Sequence, residues 1–265
     1  MVFSTYRKRP GETQLAIGAS TSESSRFGLP VGRLEIPVGH NVGPGQVMQL
    51  VEASDFDLVI LRYPASEVDW FAMLRSPNWS ALHADTLLYF EKELGAGETA
   101  RSLLTLRRVR GDGEQAELRR LAAASFHDYR SHYFANPMID RAAIEEGYVD
   151  WALRYSTDGS GAQATFLAEM AGPGEVVGFA SLCFEPCAEF ALVAVAPEYS
   201  GRGFYGEILE AGERYFFAEK KGTCYISTQV HNLAVVRTVT KRGYRPALSL
   251  QTVHLVKGGG TARLR

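Results

Sequence analysis

Val193-Ala194-Val195-Ala196-Pro197-Glu198-Tyr199-Ser200-Gly201-Arg202-Gly203-Phe204-Tyr205-Gly206 is the stretch on which the reading of this chain turns. An apolar, β-branched run feeds a turn that carries glycines, and the turn opens a segment with Ile208, Leu209, Tyr215 and Phe216 at helical spacing. The pattern predicts a strand, a tight turn and a helix over 204–220. Such a turn is an anion site on physical grounds. A helix N-terminus carries about half a positive charge, its first N–H groups lack intrahelical partners, and glycine lets the backbone approach a phosphate closely. Gly201–Gly206 also spells the dinucleotide fingerprint G-x-G-x-x-G. That reading requires a carboxylate about 20 residues on, at the end of the next strand. The next strand ends Gln229-Val230-His231-Asn232, with no carboxylate, and a hairpin precedes the loop. Both features weigh against a nicotinamide cofactor.

Working outward, Leu103–Arg110 reads as a strand, Glu114–Phe126 and Ile139–Tyr155 as helices, and Thr165–Met170 with Val176–Phe184 as a hairpin turned at Gly172-Pro173-Gly174. Phe190–Val195 and Cys224–Val230 are strands, Leu233–Arg242 is a helix, and Leu250–Val256 is a closing strand. Before Gly95-Ala96-Gly97 the order alternates. A short strand at Arg33–Ile36, a helix over 46–53, a buried strand at Asp57–Tyr63, a helix started by Ser66 and a strand within Ala84–Leu94 give a strand–helix pattern. Residues 1–30 are rich in Ser, Thr and Gly and read as a loop or loosely held arm. The expected organisation is an arm plus α/β lobe over 1–97 and a second domain over 98–265.

Composition narrows the classes. The 265 residues are 46% hydrophobic and 22% charged, ordinary for a globular protein. A formal charge of −2 carries no basic footprint for nucleic acid. Cys183, Cys187 and Cys224 form neither a disulfide framework nor a zinc signature. With no run long enough to span a bilayer and no secretory leader, the expected setting is cytoplasmic.

The segment from about Leu103 to Val256 resembles the GNAT acyltransferases. Their phosphate loop, Arg/Gln-x-x-Gly-x-Gly/Ala, aligns with Ser200, Gly203 and Tyr205, of which the central glycine is kept in type. A second match follows in order, since Asn232, a helix and Lys241-Arg242-Gly243-Tyr244 are similar to the family's Asn-initiated helix ending in Lys-x-Gly-Phe. The resemblance implies an α/β (α+β) fold with a mixed, mostly antiparallel central sheet flanked by helices. It implies acyl-CoA, most simply acetyl-CoA, as co-substrate, with no metal. Leu192, Val193, Val195, Ser200, Gly201, Arg202, Gly203, Phe204, Tyr205, Gly206 and Asn232 are the residues expected to hold it.

Direct attack of an amine on a thioester needs a base, an oxyanion donor and an acid for the thiolate. Glu189, at the start of the strand, is the expected base, where several GNAT proteins place a glutamate. The family's acid is a tyrosine seven positions after the helix asparagine, and Val239 stands there. His231 is the expected stand-in, because an imidazole titrates near neutrality, and Tyr205 is a further candidate.

Asp55–Leu94, with Leu58-Val59-Ile60-Leu61-Arg62-Tyr63-Pro64 and His83-Ala84-Asp85-Thr86-Leu87-Leu88-Tyr89-Phe90, resembles the first lobe of nucleotide-linked amino-sugar N-acetyltransferases of the TDP-fucosamine type, a truncated GNAT-like α/β lobe. The cluster Tyr129, Arg130, His132, Tyr133 and Asn136 offers rings that stack sugars or bases and groups that pair with phosphate, and is expected to bind the acceptor. The expected partner is a small-molecule amine, with no nucleic acid and no membrane, and with room for a homodimer. An acyltransferase on a secondary-metabolite or amino-acid amine, and a catalytically silent acyl-CoA-binding protein, are the alternatives.

Overall fold

A computed structural model of the chain describes residues 3–7, 15–95, 103–172 and 174–258. Its secondary structure runs β1 (Gly18–Ala19), α1 (Thr21–Phe27), β2 (Val31–Glu35), α2 (Pro44–Glu52), β3 (Leu58–Pro64), α3 (Trp70–Met73), β4 (Trp79–Glu93), β5 (Leu104–Arg108), α4 (Asp112–Phe126), α5 (Arg141–Ser156), β6 (Gln163–Met170), β7 (Val176–Cys183), β8 (Ala188–Val195), α6 (Phe204–Ala218), β9 (Thr223–Gln229), α7 (Leu233–Lys241) and β10 (Arg245–Lys257). Short 3₁₀ turns occupy Phe3–Arg7, His132–Ala135 and Pro197–Tyr199. The mixed, mostly antiparallel sheet flanked by helices is the GNAT-like architecture expected from the sequence.

The chain forms two compact units that are interleaved in sequence. A larger unit contains Phe3, Tyr89–Tyr129 and Glu145–Ala247; a smaller one contains Ser4–Leu88, Arg130–Ile144 and the chain from Leu248 onward. These lines differ from a division at residue 97. Of the expected linker, Ala96 and Gly97 lie outside the described residues, as does Pro173 of the hairpin turn.

In the larger unit the strand order is β4-β9-β8-β7-β6-β5. β5, β6, β7 and β8 pair antiparallel, and β8 runs parallel to β9. β6 and β7 are buried along most of their length, because helices cover the sheet. Phe126 of α4 lies against Phe179 of β7 (6.2 Å between centroids), and Tyr215 of α6 lies against Phe166 of β6 (4.7 Å). α6 seats closely because it presents Gly212 to β8, where a Cβ would lie 2.4 Å from the Phe190 ring.

In the smaller unit the order is β1-β2-β3-β10-β4. Leu34, Val59, Leu61, Tyr63, Val253 and Leu255 form one face of this sheet. They pack with Val47, Met48 and Val51 of α2 and Trp70 of α3 in a single apolar core. The α-helix expected from Ser66 is reduced to Trp70–Met73. Glu67 and Val68 instead donate to Pro64 and Ser66 carbonyls, which makes turns of 64–68. The arm is also corrected, since Gly18–Phe27 forms β1 and α1. Glu23 is pulled inward by the Arg33 guanidinium, whose Nε and Nη2 donate to it at 2.6 and 2.5 Å, and Gly28 ends α1 in the left-handed conformation. Among the described residues, no helix is long and apolar enough to cross a membrane.

Candidate active site

The site grows from a fault in the sheet of the larger unit. β8 and β9 pair in parallel through Ala188↔Cys224, Glu189↔Tyr225 and Phe190↔Ile226. Beyond Phe190 the pairing stops, although β8 continues to Val195 and β9 to Gln229. On the other side of β8 the register shifts: Leu182 faces Phe190 and Ser181 faces Leu192, leaving Ala191 as the bulged residue. A bulge re-aims the strand, and here it coincides with the point where β8 leaves β9. Leu192, Val193 and Val195 therefore line a split between two parallel strands. Over the end of β8, the Ser125 hydroxyl of α4 donates to the Val195 carbonyl at 3.3 Å.

Past the split the chain makes the 3₁₀ turn at Pro197–Tyr199 and then the glycine turn. Gly201 (φ +75) and Gly203 (φ +86) both take the left-handed conformation that favours glycine, and a Cβ on either would meet nothing within 4 Å. Gly203 caps α6 without any side-chain bond to its first N–H groups. The positive end of a 15-residue helix thus opens beside free space. Exposed Arg202 lies 5.4 Å from the Tyr199 ring and 5.5 Å from the Phe204 ring, a guanidinium positioned by two aromatic faces. Tyr199 is itself anchored by its phenol, which donates to Glu175. Backbone N–H groups, a cation and open space beside them fit a diphosphate. The split strands above them fit an extended amide-bearing chain.

Glu189 stands two residues before the bulge, where β8 and β9 are still paired. It is 2% exposed. Its Oε2 accepts the Phe3 N–H at 2.8 Å, and the Phe3 ring stacks on Tyr225 at 4.0 Å. Burial pushes the carboxyl up to about 7, against the opposing pull of the Phe3 hydrogen bond. Tyr205, in the first turn of α6, has its phenol raised by burial and by neighbouring Tyr129. Tyr129 follows α4, with its ring against Phe126 and Tyr148 (5.4 and 5.3 Å), and its hydroxyl donates to Gln229 Oε1 at 2.5 Å. A phenol thus reaches the end of β9, beyond the point where β9 has left β8. The sequence offered no signal for the Tyr129–Gln229 pair, because the partners are a hundred residues apart.

His231 is exposed in the turn after β9. Asn232 caps α7, its Oδ1 accepting the Val235 N–H at 3.4 Å. Val239 is fully buried inside α7.

The acceptor cluster is divided. Tyr129 belongs to the larger unit and Arg130–Asn136 to the smaller. Arg130 is exposed, while His132 is buried with its Nδ1 2.9 Å from His254 Nε2. Tyr133 donates to Glu23 and accepts from Arg33 Nη2 at 3.1 Å. Asn136 accepts the Met138 N–H at 3.0 Å. Among the described residues, no group of His, Cys, Asp or Glu is arranged to hold a metal ion.

A bulged strand parts from a parallel neighbour and runs into a glycine turn at a helix N-terminus, the arrangement that the GNAT resemblance implies. Comparison with known proteins agrees. Residues 117–244 match the family model described as acetyltransferase (GNAT) family. No curated protein sequence matches the chain. Among solved structures, a functionally unknown conserved protein from Staphylococcus epidermidis ATCC 12228 is similar, with TM-score 0.60 and 11% identity over 97% of this chain and 98% of that one. A GCN5-related N-acetyltransferase from Sphaerobacter thermophilus is similar with TM-score 0.57 and 12% identity, over 87% of this chain and 74% of that one. A putative GNAT-family acetyltransferase from Novosphingobium aromaticivorans DSM 12444 is similar with TM-score 0.51 and 16% identity, over 85% and 84%. At these identities the likeness concerns the fold. The family match runs from within α4 through α7 and includes β8, β9 and the glycine turn. Residues 117–244 are thus similar to the GNAT acetyltransferases, in a chain whose fold is GNAT-like.

Proposed function

We propose that the protein carries an acetyl group from acetyl-CoA directly to the primary amine of a small acceptor, with nucleotide-linked amino sugars as the acceptor class. The observation that carries this reading is the coincidence, within one unit, of the Ala191 bulge, the end of β8–β9 pairing and the Gly201–Gly203 turn. Leu192, Val193 and Val195 hold the pantetheine in the split. A backbone N–H just past the bulge polarises the thioester oxygen. The N–H groups of the turn and of Phe204–Gly206, with Arg202, hold the diphosphate. Glu189, with a carboxyl titrating near 7, is the base that takes the amine's proton through water. The amine nitrogen attacks the carbonyl carbon, the C–S bond breaks with its electron pair on sulfur, and the thiolate takes up a proton. A thiolate of ordinary basicity, pKa about 8.5, is a competent leaving group. Tyr205 and His231 are the side chains assigned to protonate it.

Release of free CoA thiol from acetyl-CoA tests the reading. The expected result is thiol release that depends on an added amine and yields the N-acetyl product. A melting temperature raised by acetyl-CoA without turnover on any amine would instead identify a binding protein, and neither effect would refute acyl-CoA binding altogether.

A further inference from the structure

The smaller unit buries two unlike sheet faces. One is the apolar core against α2. The other carries two cross-strand rows, Arg33–Ile60–His254 and Glu35–Arg62–Thr252, aligned by the β2–β3 and β3–β10 registers. The 3₁₀ turn holding His132 and Tyr133, together with Glu23 of α1, meets this second face. Stability alone does not call for such a face, because buried polar groups cost free energy unless each is hydrogen-bonded.

Most of these groups are satisfied. Arg33 donates from Nε and Nη2 to Glu23, Arg62 Nε donates to Thr252 Oγ1 at 3.1 Å, and His132 meets His254. Among the described residues that meet here, Arg33 Nη1, Ser131 Oγ and His254 Nδ1 are buried atoms without a hydrogen-bond partner. Ser131 and His254 are 4% and 0% exposed. The unpaired atoms share a character. A guanidinium nitrogen and a hydroxyl both donate. If His132 donates from Nδ1 to His254 Nε2, His254 carries its own proton on Nδ1 and donates as well. Burial, with Arg33 and Arg62 acting in the same direction and Glu23 opposing at His254, pushes both imidazoles down, His254 to about 3. The imidazoles stay neutral, so the positive charge comes from the guanidiniums.

We propose that Arg33 Nη1, Ser131 Oγ and His254 Nδ1 form a binding site for an anionic group, a carboxylate or phosphate, in the smaller unit. Three donors in a low-dielectric setting satisfy such a group and are satisfied by it. Nucleotide-linked acceptors carry a group of this kind, although the inference stands without them.

Melting of the full chain is followed against inorganic phosphate and, separately, acetate, each compared with sodium chloride at matched ionic strength. One of the two anions is expected to raise the melting temperature saturably, and the pair of titrations tells phosphate from carboxylate. Ser131→Ala, which removes one hydroxyl, and Arg33→Lys, which keeps charge but removes Nη1, are expected to weaken that anion about tenfold or more. Both leave CoA affinity unchanged. Gly203→Val, which disturbs the phosphate loop, leaves the anion effect in place. If Arg33→Lys does not fold, Ser131→Ala decides. No stabilisation by either anion, equal affinity in Ser131→Ala, or loss of the effect in Gly203→Val would overturn the inference. Absence of CoA binding by the parent chain, with the anion effect intact, would count against the acyl-transfer reading instead.

Discussion

Glu189→Gln separates catalysis from stability in one substitution. The carboxyl is buried and its pKa is raised from 4.5 to about 7. A carboxylic acid with a raised pKa favours the folded state fully below pH 4.5, and that advantage is lost as pH climbs through 7. The interval corresponds to about 3 kcal/mol. Glutamine keeps the size and an oxygen for the Phe3 N–H, yet never ionises. At pH 8 the variant is therefore expected to be more stable than the parent by up to about 3 kcal/mol, or roughly 6–12 °C in melting temperature, whereas at pH 5 the two should nearly coincide. If Glu189 is the base, kcat should fall about 10²–10⁴-fold, and the rise of kcat/KM with pH through 7 should vanish. Thermal melts from pH 5 to 9 and steady-state thiol release over the same range measure both. A variant that is less stable at pH 8, or whose stability follows the same pH curve as the parent, would refute the argument from burial. Unchanged kcat would refute the assignment of the base.

Two further substitutions probe other parts of the fold. Gly203→Val puts a β-branched residue at φ +86, where open space allows the side chain but the backbone resists it. The expected cost is about 1–3 kcal/mol of strain at the α6 cap, read as weaker acetyl-CoA binding by calorimetry with little change in the amine's KM. Asp85 of β4 is 6% exposed, and neither of its carboxylate oxygens has a partner. Asp85→Leu replaces the partnerless carboxyl by an apolar side chain and should raise stability by about 1–3 kcal/mol, seen as a higher urea midpoint.

The strands and helices of the larger unit were legible because each writes its own period. β6, β7 and β8 are short apolar runs between turn residues, and α6 repeats its apolar positions at helical spacing behind Gly203. The glycine turn was legible for a similar reason, since φ/ψ demands at Gly201 and Gly203 are local. What escaped was set by distant partners. Composition makes Gly18–Ser25 look unable to order itself, yet Glu23 finds Arg33 ten residues on and Tyr133 110 residues on. Glu189 is legible as a carboxylate at a strand start, but not its burial, because the Phe3 N–H that it accepts lies 186 residues earlier. Tyr129 and His132 look like one cluster, yet Tyr129 finds its partner in Gln229 and His132 in His254. A boundary at a glycine pair is a statement about chain flexibility, whereas the compact units follow strand pairing, which ignores chain order.

That interleaving has a bearing on synthesis. β10 pairs residue for residue with β3, from Leu250↔Pro64 to Val256↔Leu58. As the chain leaves the ribosome, β3 is made before most of the larger unit and its partner β10 after it. Until then β3, apolar on both faces along Leu58–Leu61, presents an unpaired edge while the larger unit is made and folds. Contacts closed over so long a stretch form late, and an exposed strand edge is where misassembly starts. A fragment cut at residue 97 would make this waiting state permanent on one side, and would leave β10 without its β3 partner on the other.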